Sequence, residues 1–348
     1  MDELQHEEVR ISSGSRSGLP VIVAVHSTAL GQAVGGCRLW RYPSWRDGLD
    51  DALRLSEAMT LKCALAQLPH GGGKSVIAMP EGHELTSEQR RAAMLDLGDA
   101  VESLGGRYGV AEDVGTTAHD MLVVAERTRF AYCLPETSGG TGEPSAPTAV
   151  GVYAAIRATC ETLFGDDAPD GRRLTIIGLG QVGSRLARRL ATDGAVLTVT
   201  DTDTTKRDLA VELGATWVDP TDAVDQSADI LVPAALGGLL TPATVQRLAC
   251  RAVVGPANNQ LASDDVADLL AARGIIWAPD FVVNAGGVIF GALTDAGSTA
   301  PGEAMVRVEA IGTTLREIYA VGRRAAVTPF AAAERLARDR VAKARAAR

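Results

Sequence analysis

The sequence predicts an α/β protein of two domains, the second built on a doubly wound parallel sheet. Three observations carry this. Beyond residue 147, short apolar segments at 173–178, 195–200, 215–218, 229–234, 252–255 and 275–278 alternate with helical patterns, which implies βαβ units. A GxGxxG run at Gly178, Gly180 and Gly183 directly follows the first of these segments. The stretch "PETSGGTGEPSAP" at 135–147 is a composition break suited to a linker or hinge. At 348 residues the chain is long enough for two domains and a substantial core.

Composition narrows the function classes. Hydrophobic residues make up 46% and the net charge is −9, as in a soluble globular protein with no nucleic-acid or anionic-membrane partner. No apolar run has the length of a membrane span. The first residues, "MDELQHEEVRISSGSRSG", carry neither the basic start nor the apolar run of a signal peptide. Cys37, Cys63, Cys133, Cys160 and Cys250 are scattered and odd in number, which suits free thiols, so a cytoplasmic location is expected. There is no CxxC pair, no metal-ligand spacing of histidines and no internal repeat, and no metal is expected.

In chain order, "PVIVAV" at 20–25 reads as a buried strand and 47–66 as a helix. Leu55, Met59, Lys62 and Ala66 share one face of that helix, apolar except for Lys62. A lysine there either snorkels to the edge or is held to meet an anion. Three glycines then interrupt "LPHGGGKSVI" at 68–77, ahead of Lys74. Each glycine costs roughly 1 kcal/mol relative to alanine in regular structure, so the run reads either as a turn with a solvated lysine or as a backbone that something approaches closely. Residues 86–104 read as a second helix, and "RYGVAED" as a strand ending at Glu112 and Asp113. "TAHD", with Thr117 and Asp120, has capping-box spacing before the apolar "MLVVA". Asp113 therefore falls at a strand end just ahead of a helix, where it either bonds local backbone or presents its carboxylate.

Residues 172–201, "RRLTIIGLGQVGSRLARRLATDGAVLTVTD", form a complete βαβ unit with the dinucleotide signature. Gly178 permits the tight turn, Gly180 lets backbone N–H groups reach a pyrophosphate, and Gly183 lets helix and strand pack closely. Gln181 and Val182 complete the loop as the helix begins. Asp201 ends the second strand, where it can accept from both ribose hydroxyls and would repel a 2′-phosphate, so NAD is the expected cofactor. Arg185, Arg188 and Arg189 read as a solvated helix face.

The motifs "AVGGCR", "MTLKCALAQLPHGGGKSVI", "AEDVGTT", "PTAVGV", "GLGQVG", "PANNQL" and "APDFVVNAGGVI" occur in this order. Together, from about Leu30 to about Leu336, the chain resembles the glutamate/leucine/phenylalanine/valine dehydrogenases, most of all the leucine, phenylalanine and valine branch. The resemblance implies a substrate-binding and oligomerisation domain at 1–135, a Rossmann-type NAD domain at 136–319, and a helical tail at 320–348 returning to the first domain. It places the active site in the cleft between domains and implies a homo-oligomer. It also implies roles. Lys62 would bind the substrate carboxylate, Lys74 would be the catalytic lysine and Asp113 the proton-transferring acid. Lys62 would lie near enough to Lys74 to depress its pKa. Gly35, Gly36 and Asn258 would surround substrate and nicotinamide, with Thr148 and Asn284 on the nicotinamide side. The pocket for the substrate side chain would be lined by Val34, Ala111, Val288 and Gly291.

The implied reaction is oxidative deamination of an L-amino acid to a 2-oxo acid and ammonium, reversible as reductive amination. Relatives acting on glutamate carry a lysine where this chain has Val34, so an acidic substrate is disfavoured. Glycine at 291 suggests a roomy pocket and a large or aromatic substrate, with branched aliphatic amino acids as the alternative. Two further readings are a 2-hydroxy-acid dehydrogenase on the same fold and a silent NAD-binding paralogue. The first lacks its usual histidine, carboxylate and arginine set, and the second does not need Lys62, Lys74 and Asp113. His70 reads as packing or loop support, and Cys37 and Cys63 as small core residues.

Overall fold

The computed structural model describes residues 5–295 and 299–347, apart from the side chain of Glu136. The chain packs as two compact units. The first comprises Met1–Glu143, Gly291–Ser298 and Ala337–Arg348, and the second Pro144–Phe290 and Thr299–Leu336.

The first unit contains β1 (Glu8–Ser13), β2 (Pro20–Ser27), β3 (Ala33–Tyr42), α1 (Trp45–Leu65), β4 (Gly71–Pro80), α2 (Ser87–Glu102), β5 (Tyr108–Glu112) and α3 (Ala118–Ala125). Its strands form one mixed sheet in the order β1-β2-β4-β3-β5. Strand β2 runs antiparallel to β1 and β4, while β3 runs parallel to β4 and β5. Each helix starts on a capping box, Ser44 with Asp47, Thr86 with Gln89, and Thr117 with Asp120, which satisfies first-turn N–H groups that would otherwise lack partners. Val21, Val23, Met94, Leu97, Tyr108 and Met121 pack in one core, and Ile22, Ala24, Ala52, Val76 and Ala78 in another.

The glycine run is strand rather than turn. Gly71, Gly72 and Gly73 open β4 and are fully buried. A Cβ at Gly71 would lie 1.9 Å from the Ser27 carbonyl oxygen, one at Gly72 2.1 Å from the Thr60 nitrogen, and one at Gly73 2.6 Å from the Tyr108 ring. The groups that approach this backbone closely are therefore the protein's own. The face of α1 that meets the sheet is correspondingly small: Gly48, Ala52, Ser56, Thr60, Cys63 and Ala64 are buried. The stripe of Leu55, Met59, Lys62 and Ala66, expected to be the buried face, is only half-buried. Small residues let a helix backbone sit nearer a sheet than leucine or methionine can, and that closeness displaced the larger apolar residues to the flank.

The second unit begins with α4 (Ser145–Phe164), so the last residues of the expected linker are already helical. There follow β6 (Arg173–Ile177), α5 (Gln181–Thr192), β7 (Val196–Thr200), α6 (Arg207–Glu212), β8 (Thr216–Trp217), β9 (Ile230–Pro233), α7 (Pro242–Arg247), β10 (Ala252–Val253), α8 (Val266–Ala272), β11 (Ile276–Trp277) and α9 (Asp280–Val283). Helices α10 (Gly286–Thr294), α11 (Pro301–Glu309), α12 (Ile311–Ala325) and α13 (Pro329–Ala346) complete the chain. The parallel sheet runs β11-β10-β9-β6-β7-β8, a doubly wound order that reverses beside β6. The tail from Ala337 belongs to the first unit, where Arg340 Nη1 donates to the Ala64 and Leu65 carbonyls at 3.1 Å each and satisfies the C-terminal end of α1.

Candidate active site

Strands β3, β4 and β5 lie side by side and bring three charged side chains together. Lys74 comes from β4, Arg38 from β3, and Asp113 from the residue after β5. Lys74 Nζ stands 2.9 Å from Asp113 Oδ2, and Arg38 Nε donates to the same oxygen at 3.2 Å. The Lys74 side chain is only 5% exposed, whereas Asp113 keeps 26%, so the pair has a closed end and an open end. Burial pushes the Lys74 pKa below its ordinary value against the pull of Asp113, and the Arg38 charge pushes it the same way. A neighbouring cation that acts on Lys74 is thus Arg38, a residue not singled out in the sequence. Burial alone would raise the Asp113 carboxyl, but Lys74 and Arg38 outweigh it and hold it below the usual range.

The surrounding backbone is held as firmly. A Cβ on Gly36 would fall 2.6 Å from the Asp113 Cβ, so only glycine leaves room for that carboxylate to lie across β3. Thr116 Oγ1 accepts from Asp113 N at 2.9 Å and donates to the Cys37 carbonyl at 2.8 Å, and Gly115 turns the loop at φ +83°. Tyr108 donates to the Gly35 carbonyl at 2.9 Å from a fully buried position. Val34 is paired with Gly109, and Ala111 with Gly36, across β3 and β5. Lys62 is half-buried in the last turn of α1. A Cβ on Gly291 would make ordinary contacts with Cys133 Sγ at 3.6 Å and Thr141 Oγ1 at 3.8 Å. Val288, one helical turn earlier on α10, is half-buried. His70 has its Nδ1 buried without a partner, and burial lowers its pKa.

In the second unit the glycine signature folds as a tight turn leading into α5. Gly178 has φ +107°. At Gly180, the residue capping α5, a Cβ would meet nothing within 4 Å, and no side chain caps the helix. A Cβ at Gly183 would lie 2.0 Å from the Gly178 carbonyl oxygen. The uncapped N–H groups of α5, next to Gln181 and Val182, fit an anionic dinucleotide. Asp201 Oδ2 accepts from Leu179 N at 2.6 Å and Oδ1 from Asp203 N at 2.8 Å. Each carboxylate oxygen takes about two such bonds, so capacity remains for ribose hydroxyls. Arg188 pairs with Glu212 and Arg189 with Asp193, on the exposed side of α5. Asn284 Nδ2 donates to Asn258 Oδ1 at 2.7 Å, which brings these two expected site residues together. Gly287 lies against Thr148, whose Oγ1 would be 2.9 Å from a Cβ there.

Residues 5–130 match the family described as Glu/Leu/Phe/Val dehydrogenase, dimerisation domain, and residues 205–348 match Glutamate/Leucine/Phenylalanine/Valine dehydrogenase. Residues 173–236 match the NAD binding domain of 6-phosphogluconate dehydrogenase. A leucine dehydrogenase of Thermoactinomyces intermedius is 38% identical over 98% of this chain and 92% of its own. The chain belongs to the glutamate/leucine/phenylalanine/valine dehydrogenase family. A phenylalanine dehydrogenase of Lysinibacillus sphaericus is 42% identical over 82% of this chain and 75% of its own. The crystal structure of an L-tryptophan dehydrogenase from Nostoc punctiforme superposes with a TM-score of 0.87 at 33% identity, covering 98% of this chain and 96% of that one.

As a member of this family the chain is an amino acid dehydrogenase with a nicotinamide-dinucleotide domain. Arg38 and Thr116 were missed by sequence reasoning although both lie inside quoted motifs, "AVGGCR" and "AEDVGTT". For Arg38 a signal existed: it is a cation embedded among apolar and glycine residues, the same feature that drew attention to Lys62.

Proposed function

We propose that this chain catalyses the reversible oxidative deamination of an apolar L-amino acid with NAD, an aromatic side chain being preferred. L-amino acid, water and NAD⁺ give 2-oxo acid, ammonium, NADH and a proton. The observation that carries the reading is the nearly inaccessible Lys74 ammonium held 2.9 Å from a partly open carboxylate. Such a lysine releases its proton more readily than a free one and can take it back, as a general base acting through water requires. When bound in the second unit, NAD would supply the hydride acceptor for the substrate Cα.

Lys62 binds the substrate carboxylate, and the Gly35 and Gly36 backbone passes alongside. Lys74 removes a proton from the water that adds to the iminium carbon, then as ammonium stabilises the carbinolamine oxygen. Asp113, ionised at rest, takes a proton from the substrate ammonium before the hydride leaves Cα and returns it to the departing amine. Asn258, Asn284 and Thr148 orient the nicotinamide, while the glycine turn and Asp201 hold pyrophosphate and ribose. Asp201 and its neighbour Asp203 together place negative charge where a 2′-phosphate would sit, which supports NAD over NADP. The first unit handles the substrate and forms the oligomer interface, and the second holds the dinucleotide.

The preference for a large side chain rests on the missing side chain at Gly291, where a Cβ would meet Cys133 Sγ and Thr141 Oγ1 only at ordinary contact distances of 3.6 and 3.8 Å. A panel of 2-oxo acids with NADH and ammonium should show phenylpyruvate or indolepyruvate turned over faster than 2-oxoisovalerate. Gly291→Val should shift preference towards the branched acid by at least about 10-fold, since one methylene of fit is worth roughly 10- to 200-fold and valine adds three carbon atoms. A wild type that accepts 2-oxoisovalerate and rejects both aromatic acids would overturn the aromatic preference.

A further inference from the structure

The proton-transferring pair does not stand alone. From Asp113 the charges continue through Arg38 to Asp51 on α1. Arg38 Nε donates to Asp113 Oδ2 at 3.2 Å, while its Nη1 donates to Asp51 Oδ2 at 2.8 Å. Asp51 is itself fixed, by the Tyr42 hydroxyl at 2.7 Å on Oδ2 and by Arg54 Nη2 at 2.8 Å on Oδ1. The side chains of Arg38 and Asp51 are 18% and 15% exposed, so this line is largely shielded from water and salt. A guanidinium anchored at both ends cannot rotate away, and its planar fork fixes the direction of each bond.

From this geometry we propose that Arg38, clamped by Asp51, is a positioning residue that sets the orientation and ionisation of Asp113 during deamination. The inference rests on the proposed roles of Lys74 and Asp113. Both cations converge on Oδ2, so the proton destined for the amine travels through Oδ1. Arginine stays charged throughout the working pH range. Between turnovers, with Lys74 neutral, Arg38 therefore still favours the carboxylate form of Asp113, ready to take the proton of the substrate amine. Other ionisable groups border the cluster. The Cys37 thiol on β3 is pushed up to about 12 by burial, and the fully buried Tyr108 phenol on β5 is raised well above its usual value for the same reason. Glu112 on β5 is raised by burial, while Asp120 on α3 is held low by Arg90 and Thr117 in spite of its burial. None of these carries a positive charge that could replace Arg38.

The test compares wild type with Arg38→Gln, Arg38→Lys and Asp51→Asn. Deamination of L-phenylalanine, or of L-leucine where that is faster, is followed with NAD across the pH range. Losing the guanidinium removes a positive charge from both Lys74 and Asp113, so both pKa values rise. Arg38→Gln should lower kcat about 10- to 100-fold, the scale of misplacing a reacting group by an ångström, and leave the amino acid KM within about 2-fold. The limb of the kcat profile that climbs with pH should move to higher pH by about one unit. Arg38→Lys restores the charge without the fork, so the limb should return while kcat recovers only in part. Asp51→Asn, which leaves Arg38 in place, should lose less kcat than Arg38→Gln and guards against failure of that variant to fold.

A second readout does not depend on activity. NMR titration of isotope-labelled aspartate carboxyls, with Asp113 assigned by its disappearance in Asp113→Asn, should show its midpoint rising in Arg38→Gln. An unchanged kcat profile in Arg38→Gln, or a loss of kcat with the limb and the Asp113 midpoint both unmoved, overturns the positioning role. A wild type that deaminates no amino acid overturns the underlying reading of the site instead, and the carboxyl titration still decides whether Arg38 controls Asp113.

Discussion

Lys74 and Asp113 form an ion pair, and in the proposed mechanism that pair has to give up a proton. Burial and the nearby Arg38 lower the lysine, while two cations keep the carboxylate ionised. Lys74→Ala and Asp113→Asn should each reduce kcat about 100- to 10,000-fold while NADH binding, followed by fluorescence, survives. Lys62→Ala should chiefly raise the amino acid KM, since the carboxylate charge is present in ground and transition states alike. If Lys74 is the general base proposed above, deamination needs its neutral amine, and the wild-type rate should rise with pH through the lowered pKa and level off before an ordinary lysine value of 10.5. Near-normal turnover in Asp113→Asn would remove that residue from the mechanism. At this scale the sequence was legible where a charge interrupts an apolar or glycine-rich motif, as at Lys74 and Asp113. Arg38 carried the same signal, but its pairing did not: Asp113 lies 75 residues away and meets it only once β5 pairs with β3.

Among the elements, the second unit's strands are short apolar runs set off by turn residues, and their positions were readable from that pattern. In the first unit, β3 and β4 gave no such signal, since glycines at 35–36 and 71–73 read as interruptions. They persist in the sheet because other backbone fills the space their missing side chains leave. The small-residue face of α1 escaped notice for a related reason: a search for large apolar residues at helical spacing finds the flank instead. Gly72→Ala, which drives a methyl towards the Thr60 nitrogen, should lower stability by about 3 kcal/mol in denaturant unfolding. Gly180→Ala, with open space for its methyl, should leave the unfolding midpoint unchanged and weaken NADH binding at the helix terminus. Equal stability of the two variants would mean that β4 and α1 are not as tightly apposed as described.

For the whole molecule, the strand order β11-β10-β9-β6-β7-β8 puts the glycine turn and Asp201 at adjacent strand ends, where a dinucleotide is expected to bind. Asp201→Ser should raise kcat/KM for NADP relative to NAD, because it removes the repulsion of the 2′-phosphate. An unchanged ratio would assign cofactor choice to other groups. The sequence motifs were sufficient for the family because they occur in register along most of the chain. Choice of side chain was less legible, since the proposed preference turns on how the substrate would pack near Gly291, which no single residue type announces. The central claim, amination coupled to nicotinamide oxidation, is tested most directly by following NADH absorbance with phenylpyruvate, with and without ammonium. Rapid loss of NADH that requires both the 2-oxo acid and ammonium, with little turnover of 2-oxoglutarate, is the predicted result. Loss of NADH with the 2-oxo acid alone would mean that the chain reduces a carbonyl to an alcohol, and would contradict the account.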